Sequence, residues 1–240
     1  MPNYGQDLAY IHDSGFTGYV RSPGLLRILR GNRVTGGLVV DLGCGSGRWA
    51  RQLNDHGYRV FGVDQSPAMI RLARRFAPQS KFKVASLLDV ELPACDAVTS
   101  IGECFNYAFD QRTGRTQLRR LFRRIFQALR PGGIFVFDVA EPRRIPARPE
   151  QHWVERADDW TILVEIDGDR KRGRLRRRII SFRKVGKLYR RTEETHHLRL
   201  YHTSDLIRDL KQCGFRARRL PGYGRFRLLP GIVAVMAIKP

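Results

Sequence analysis

Between Leu38 and Asp41 an apolar run, Leu-Val-Val-Asp, leads into Gly43-Cys44-Gly45-Ser46-Gly47. Such a run ending at glycines reads as a buried strand that turns sharply, and glycine there lets the backbone approach a ligand unobstructed. The spacing is Gly-x-Gly-x-Gly, unlike the Gly-x-Gly-x-x-Gly turn that seats a pyrophosphate on a helix N-terminus. Asp41 stands two residues before the first glycine. A carboxylate there repels a pyrophosphate and suits a ligand that carries an ammonium group. A second acid, Asp64, ends the next apolar run, 17 residues after Gly47. At the carboxyl edge of a sheet an acid can accept both hydroxyls of a ribose. Gln65 and Met69 follow it and are placed to flank an adenine.

A second constellation lies far along the chain, in Arg191-Thr192-Glu193-Glu194-Thr195-His196-His197-Leu198-Arg199-Leu200-Tyr201. On a strand, Glu194 and His196 share one face, while His197, Arg199 and Tyr201 share the other. A Glu–His pair can remove a proton from an amine or hydroxyl, which makes His196 and Glu194 the catalytic candidates. The plainer reading is a cross-strand ion pair with a satisfied histidine. Ser100-Ile101-Gly102-Glu103-Cys104-Phe105-Asn106-Tyr107 follows another apolar run. It offers Glu103, Asn106 and Tyr107 to an acceptor, against the plainer reading of a cap and a packed aromatic. Near the start, Tyr10, His12 and Tyr19 are placed to fold over a bound ligand, with Tyr19, Arg199 and Tyr201 as further acceptor contacts.

These groups need a scaffold, and the chain predicts one. Residues 1–30 carry apolar positions at near-helical spacing. Strands are expected at 38–41, 59–64, 82–85, 97–101 and 134–139. Helices are expected from Ser46, from Ser66-Pro67 (a good N-cap with proline in the first turn), and over 118–129, stopped by Pro131-Gly132-Gly133. This βαβ alternation argues for a parallel sheet with helices on both faces. The pattern then changes. Residues 161–167, 174–183 and 188–201 alternate like antiparallel strands joined by turns at Gly168 and Gly186. A helix near 204–213 and strands at 215–220 and 232–238 end the pattern, and proline-bearing Arg143–Gln151 reads as a hinge.

Composition sets the outer bounds. The 240 residues are 42% apolar, with no window resembling a membrane span and no basic-then-apolar start, so a cytoplasmic protein is expected. The four cysteines form no Cys-x-x-Cys pair or Cys/His cluster, so neither a metal nor a disulfide is expected. The net charge of +21 draws anions, and the basic residues are 37 arginines against seven lysines. That bias reads either as genome composition on a solvated surface or as attraction to an anionic partner. Between Arg170 and Arg191 lie 12 basic residues and no acidic one.

Three segments together resemble class I S-adenosylmethionine-dependent methyltransferases: Val40-Asp41-Leu42-Gly43-Cys44-Gly45-Ser46-Gly47, Val63-Asp64-Gln65-Ser66-Pro67-Ala68-Met69, and Leu129-Arg130-Pro131-Gly132-Gly133. The resemblance spans residues 37–139, and more loosely the rest. It implies a Rossmann-like, doubly wound α/β fold, with a seven-stranded, mostly parallel sheet whose last strand is antiparallel, plus a small antiparallel β insertion. It also implies S-adenosylmethionine as cofactor, S-adenosylhomocysteine as product, and a cofactor site of Asp41, Gly43, Cys44, Gly45, Asp64, Gln65, Met69, Ser86, Leu87 and Ile101. One departure matters. Where relatives often carry Gly-Asp after the third strand, this chain has Ala85-Ser86-Leu87, so a hydroxyl or backbone amide, or less directly Asp89, meets the adenine amine.

On this reading the chain is one methyltransferase domain: a helical leader at 1–35, a cofactor core at 36–142, a lid at 152–201 and a completion of the core at 202–240. Glu-x-His followed by Arg-x-Tyr resembles lids of small-molecule members, including those acting on amino sugars. The expected function is methylation of N, O or C on a small molecule, anionic if the charge is selected. A nucleic-acid acceptor, RNA above all, is the first alternative, and the charge favours it. Against it, the fourth strand is followed neither by Asn/Asp-Pro-Pro-Tyr/Phe nor by Pro-Cys, and a separate RNA-binding domain is missing. A non-catalytic protein that binds the cofactor is the second alternative.

Overall fold

The protein is described here from a computed structural model, covering residues 4–18, 23–110, 112–156 and 159–240. Helices α1 (Gln6–Gly15) and α2 (Gly24–Gly31) precede an alternation of strand and helix. It runs β1 (Gly37–Leu42), α3 (Arg48–Asn54), β2 (Tyr58–Asp64), α4 (Pro67–Phe76), β3 (Lys81–Val84), β4 (Cys95–Ser100), α5 (Arg115–Ala128) and β5 (Leu129–Ala140). The predicted cap of α4 is present: Ser66 Oγ accepts from Met69 N at 3.1 Å, and Pro67 takes the first helical position. Along α5 the apolar stripe Leu118, Leu121, Phe122 and Ile125 is buried on the sheet, with arginines between.

These strands, with β10 (Arg216–Leu220) and β11 (Ile232–Ile238), form a seven-stranded sheet in the order β10-β11-β5-β4-β1-β2-β3. The pairs among β1 to β5 are parallel, and β11 runs antiparallel to both β5 and β10. This is the Rossmann-like sheet expected, with the last strand reversed. Its central strands are buried on both faces, as Val39, Val40, Ala97, Val98, Phe135 and Val136 show. Two apolar clusters lie against those faces, one around α5 and α6 (Thr203–Gln212), the other around α2 and α3. Strand order reverses between β1 and β4, and the crevice at the carboxyl ends there is where such sheets hold ligands.

The insertion is a second, four-stranded antiparallel sheet, ordered β6 (Glu150–Arg156), β7 (Trp160–Asp169), β8 (Arg174–Val185) and β9 (Leu188–Arg199). Three of these strands were legible. The fourth, β6, starts inside the stretch expected to be a hinge. Gly168 is not a turn either: it pairs with Leu175 inside β7, where an added Cβ would lie 2.4 Å from the Arg174 carbonyl oxygen. The β7–β8 turn instead uses Gly173, at φ +59°. Pro131-Gly132-Gly133 likewise falls within β5, since α5 stops at Ala128 and Leu129 already pairs with Cys95.

Candidate active site

The glycine-rich turn leaves β1 and enters α3. Gly43 N and Cys44 N both donate to the Val63 carbonyl oxygen, at 2.7 and 3.0 Å, which binds the turn to the neighbouring strand. At Gly47 (φ +76°) a Cβ would stand 2.8 Å from the Ala73 Cα, so only glycine lets α3 close on α4. At Gly45 (φ +52°) a Cβ would meet nothing within 4 Å, because this glycine faces open space. That space is a cavity of about 120 Å³, bordered by Gly43, Gly45, Asp64, Gln65, Met69 and Leu87 among others.

Asp64 fixes the turn from the other side. One carboxylate oxygen accepts from Gly45 N at 2.9 Å, the other from Ser66 N at 2.8 Å. Burial raises its pKa, and the amides of Ser66, Gly45 and Gln65 draw it part of the way back. Each oxygen keeps a lone pair after these contacts. Ser86 borders the same cavity, accepting from Leu88 N and donating to Asp110 Oδ2 at 3.0 Å. Asp89 is turned away, held by Arg112.

A second cavity of about 380 Å³ lies between the carboxyl edge of the sheet and the β6–β9 sheet. Five residues border both cavities: Tyr4, His12, Ile101, Gly102 and Tyr107. The loop after β4 is held at this junction by Asp138 at the end of β5. Its carboxylate accepts from Gly102 N, Glu103 N and the Tyr223 hydroxyl, at 3.1, 2.6 and 2.7 Å. Burial pushes this carboxyl up to about 6 against those three donors. His12 is drawn down to about 4, mainly by burial, so its ring is neutral at pH 7, and its buried Nδ1 has no partner among the described residues.

A family model described as a methyltransferase domain matches residues 39–133, which hold the turn, Asp64 and the junction loop. The protein YqeM of Bacillus subtilis (strain 168) is 25% identical over 190 residues, 77% of this chain and 75% of YqeM. Residues 39–133 thus match a methyltransferase domain, and the chain as a whole resembles S-adenosylmethionine-dependent methyltransferases. Its fold is shared by a solved S-adenosylmethionine-dependent methyltransferase from Clostridium acetobutylicum ATCC 824 (TM-score 0.81, 20% identity, covering 98% of this chain and 99% of that one). It is also shared by the sugar N-methyltransferase KedS8 from Streptoalloteichus sp ATCC 53650 (TM-score 0.75, 22% identity, covering 97% and 92%).

Several residues of the chain stand elsewhere than the sequence suggested. Asp41 is buried one layer behind the cavity wall, accepting from Thr99 Oγ1 at 2.7 Å, while Thr99 accepts from Trp49 Nε1. Cys44 is buried, with its amide donating to the Val63 carbonyl oxygen and its thiol to that of Gly45 at 3.9 Å, both within or beside the turn. Asn106 is fully buried, and its amide group is spent on backbone: Ala140 N donates to its oxygen, and its nitrogen donates to the carbonyls of Ala140 and Arg199. It clamps β5 to the end of β9 and has nothing left for an acceptor. Arg199 is exposed and borders a different surface hollow, and Tyr201 packs in the main core. Tyr19 lies outside the described residues. Glu103 and Tyr107 do border the second cavity.

The Glu194–His196 pair forms as expected, with Nε2 3.0 Å from the carboxylate, but it is no base at the reacting atoms. His196 is fully buried and borders neither cavity, because the rings of Tyr4, Tyr107 and Phe109 pack around it, with centroids 4.9, 5.6 and 5.0 Å away. Glu194 accepts from Tyr4 N and Gly5 N, both at 2.8 Å. The pair is a latch for the N-terminal segment. Glu194→Ala should cost about 1–3 kcal/mol, because two amides and a histidine lose their acceptor. Hydrogen exchange at Tyr4 and Gly5 should quicken; unchanged protection there would remove the latch.

The structure also supplies groups that sequence reasoning missed. Arg177 points inward beside Glu103, at 3.6 Å, and donates to the Tyr107 hydroxyl at 3.2 Å. It was hidden inside a basic run, although strand alternation separates it from the outward Arg176 and Arg178. Asp138 could have been found, since an acid at the carboxyl end of the fifth strand falls at the ligand edge. Tyr4 carried no sequence signal.

Proposed function

We propose that this methyltransferase moves a methyl group from S-adenosylmethionine to N, O or C of a small molecule held under the β6–β9 sheet. The observation that carries the reading is the meeting of two cavities at Tyr4, His12, Ile101, Gly102 and Tyr107. When bound, the cofactor supplies an electrophilic methyl on a sulfonium. Asp64 accepts the ribose hydroxyls with its remaining lone pairs, and Gly45 leaves room for the backbone to approach. Gln65 and Met69 flank the adenine, and Ser86 with the Leu87 amide meets its polar edge. Asp41 acts from behind the turn, fixing β1 through Thr99 rather than touching the ligand. On the acceptor side, Glu103 and Tyr107 orient the substrate. His12, neutral at pH 7, borders the junction and helps to orient the acceptor, while the proton that an amine or hydroxyl loses passes to water. An in-line displacement asks chiefly for alignment and desolvation, which the covering sheet and α1 provide.

The chain works as one unit in this reading, with residues 1–35 and 152–201 covering a site built by 36–142 and completed by 202–240. We place it in the cytoplasm, and no helix among the described residues is long and apolar enough to cross a membrane. Nucleic acid is the lesser reading, since several lid arginines face carboxylates of the chain: Arg176 pairs with Asp167, Arg178 with Glu165 and Glu193, and Arg183 and Arg190 with Asp7.

The test is calorimetric titration with S-adenosylmethionine and S-adenosylhomocysteine after a high-salt wash, then transfer of radiolabelled methyl to a small-molecule extract and to total RNA. Binding at micromolar concentrations with label in the small-molecule fraction is expected. Label in RNA alone would replace the acceptor reading, and binding with no transfer to any fraction would leave a non-catalytic binder.

A further inference from the structure

The second cavity is mostly apolar. Ile162, Val164, Ile166 and Ile179 line it from the lid sheet, and Leu228 and Ile232 from the opposite wall. Against that background its charged and titratable groups stand out. Glu103 and Arg177 face one another at 3.6 Å. Asp138 accepts from three donors. His152 faces Glu150 at 3.2 Å, and His12 is neutral. Arg144 is the exception. No carboxylate among the described residues reaches its guanidinium, and its Nε is buried without an acceptor.

An unpaired guanidinium beside an apolar cavity is costly unless a ligand supplies the missing acceptor, and Arg is suited to two-pronged contact with carboxylate or phosphate. We infer that the acceptor is a small amphiphilic acid, with an apolar body between the lid and the wall before β11 and an anionic group held by Arg144. This rests on the reading that the second cavity is the acceptor site. The apolar body is desolvated by the lid strands, and the anion fixes which end of the molecule reaches His12 and Gly102.

The experiment uses the full chain saturated with S-adenosylhomocysteine, titrated separately with decanoate, decyl phosphate, decylamine and UDP-glucose. Decanoate or decyl phosphate should bind roughly ten-fold or more tighter than decylamine, the worth of one charge-assisted hydrogen bond. Whichever of the two binds tighter identifies the anion. Arg144→Met should abolish the preference while leaving S-adenosylhomocysteine affinity unchanged, and Arg144→Lys should keep part of it. Equal binding of decylamine, a preference that survives Arg144→Met, or tighter binding of UDP-glucose would overturn the proposal. Because the S-adenosylhomocysteine titration is read first, failure of the cofactor site is separated from failure of the acid preference. If Arg144→Met does not fold, the four ligands on the unaltered chain still decide.

Discussion

Asp64→Ala should weaken S-adenosylmethionine binding by roughly 10- to 150-fold, about 1.5–3 kcal/mol, the range for losing a charged hydrogen-bond acceptor. Two effects add in the same direction. The ligand loses the lone pairs that remain after Gly45 N and Ser66 N are satisfied. Those two amides also lose their acceptor, so the turn that brings Gly45 to the cavity is no longer held. Asp64→Asn keeps one oxygen and should fall between the two. The measurement is calorimetric, on variants whose circular dichroism matches the parent. Unchanged affinity in a folded Asp64→Ala would sink the assignment.

Asp41→Asn should stabilise the protein, and more so at high pH. Burial pushes the Asp41 carboxyl up to about 7, with the Thr99 hydrogen bond opposing the rise and Asp64 adding to it. In the unfolded chain the same group titrates near ~3.9. Below that value both states are protonated and nothing is lost. Between it and 7 the native state binds the extra proton, so stability declines as pH rises, and above 7 the whole penalty stands. Asparagine keeps the acceptor for Thr99 and carries no charge. Its advantage should grow by about 2–3 kcal/mol between pH 5 and pH 8, at 1.36 kcal/mol per unit. Urea unfolding of both proteins at the two pH values is the check, and an advantage independent of pH would show that Asp41 is ionised throughout.

What the sequence disclosed followed the range of its signals. The βαβ alternation, the cap at Ser66 and the turn at Gly43–Gly47 are local, each set by residues within a few positions, and all are present. Strand alternation likewise put Glu194 and His196 on one face. It could not reveal that Tyr4, Tyr107 and Phe109, from two distant segments, fill the space in front of the imidazole. Asn106 misled for a related reason. Its amide suits a ligand as well as a backbone, and only the meeting of β5 with the end of β9 decides which it serves. Strand β6 escaped because Pro146 and Pro149 precede it closely and its residues are largely exposed, leaving little hydrophobic alternation to read.

Helix α1 joins the core to the β6–β9 sheet. Asp13 ties it to Arg48 of the core, Asp7 ties it to Arg183 and Arg190 of that sheet, and Tyr4 just before it and His12 within it border both cavities. If both cavities are filled as proposed, the two ligands share one wall, and entropy lost in ordering that wall is lost only once. Binding of either should then favour the other, by the same factor in both directions. Titrating decanoate with and without S-adenosylhomocysteine, and the reverse, would measure that factor, and a value of one would mean that the wall is already rigid when both cavities are empty.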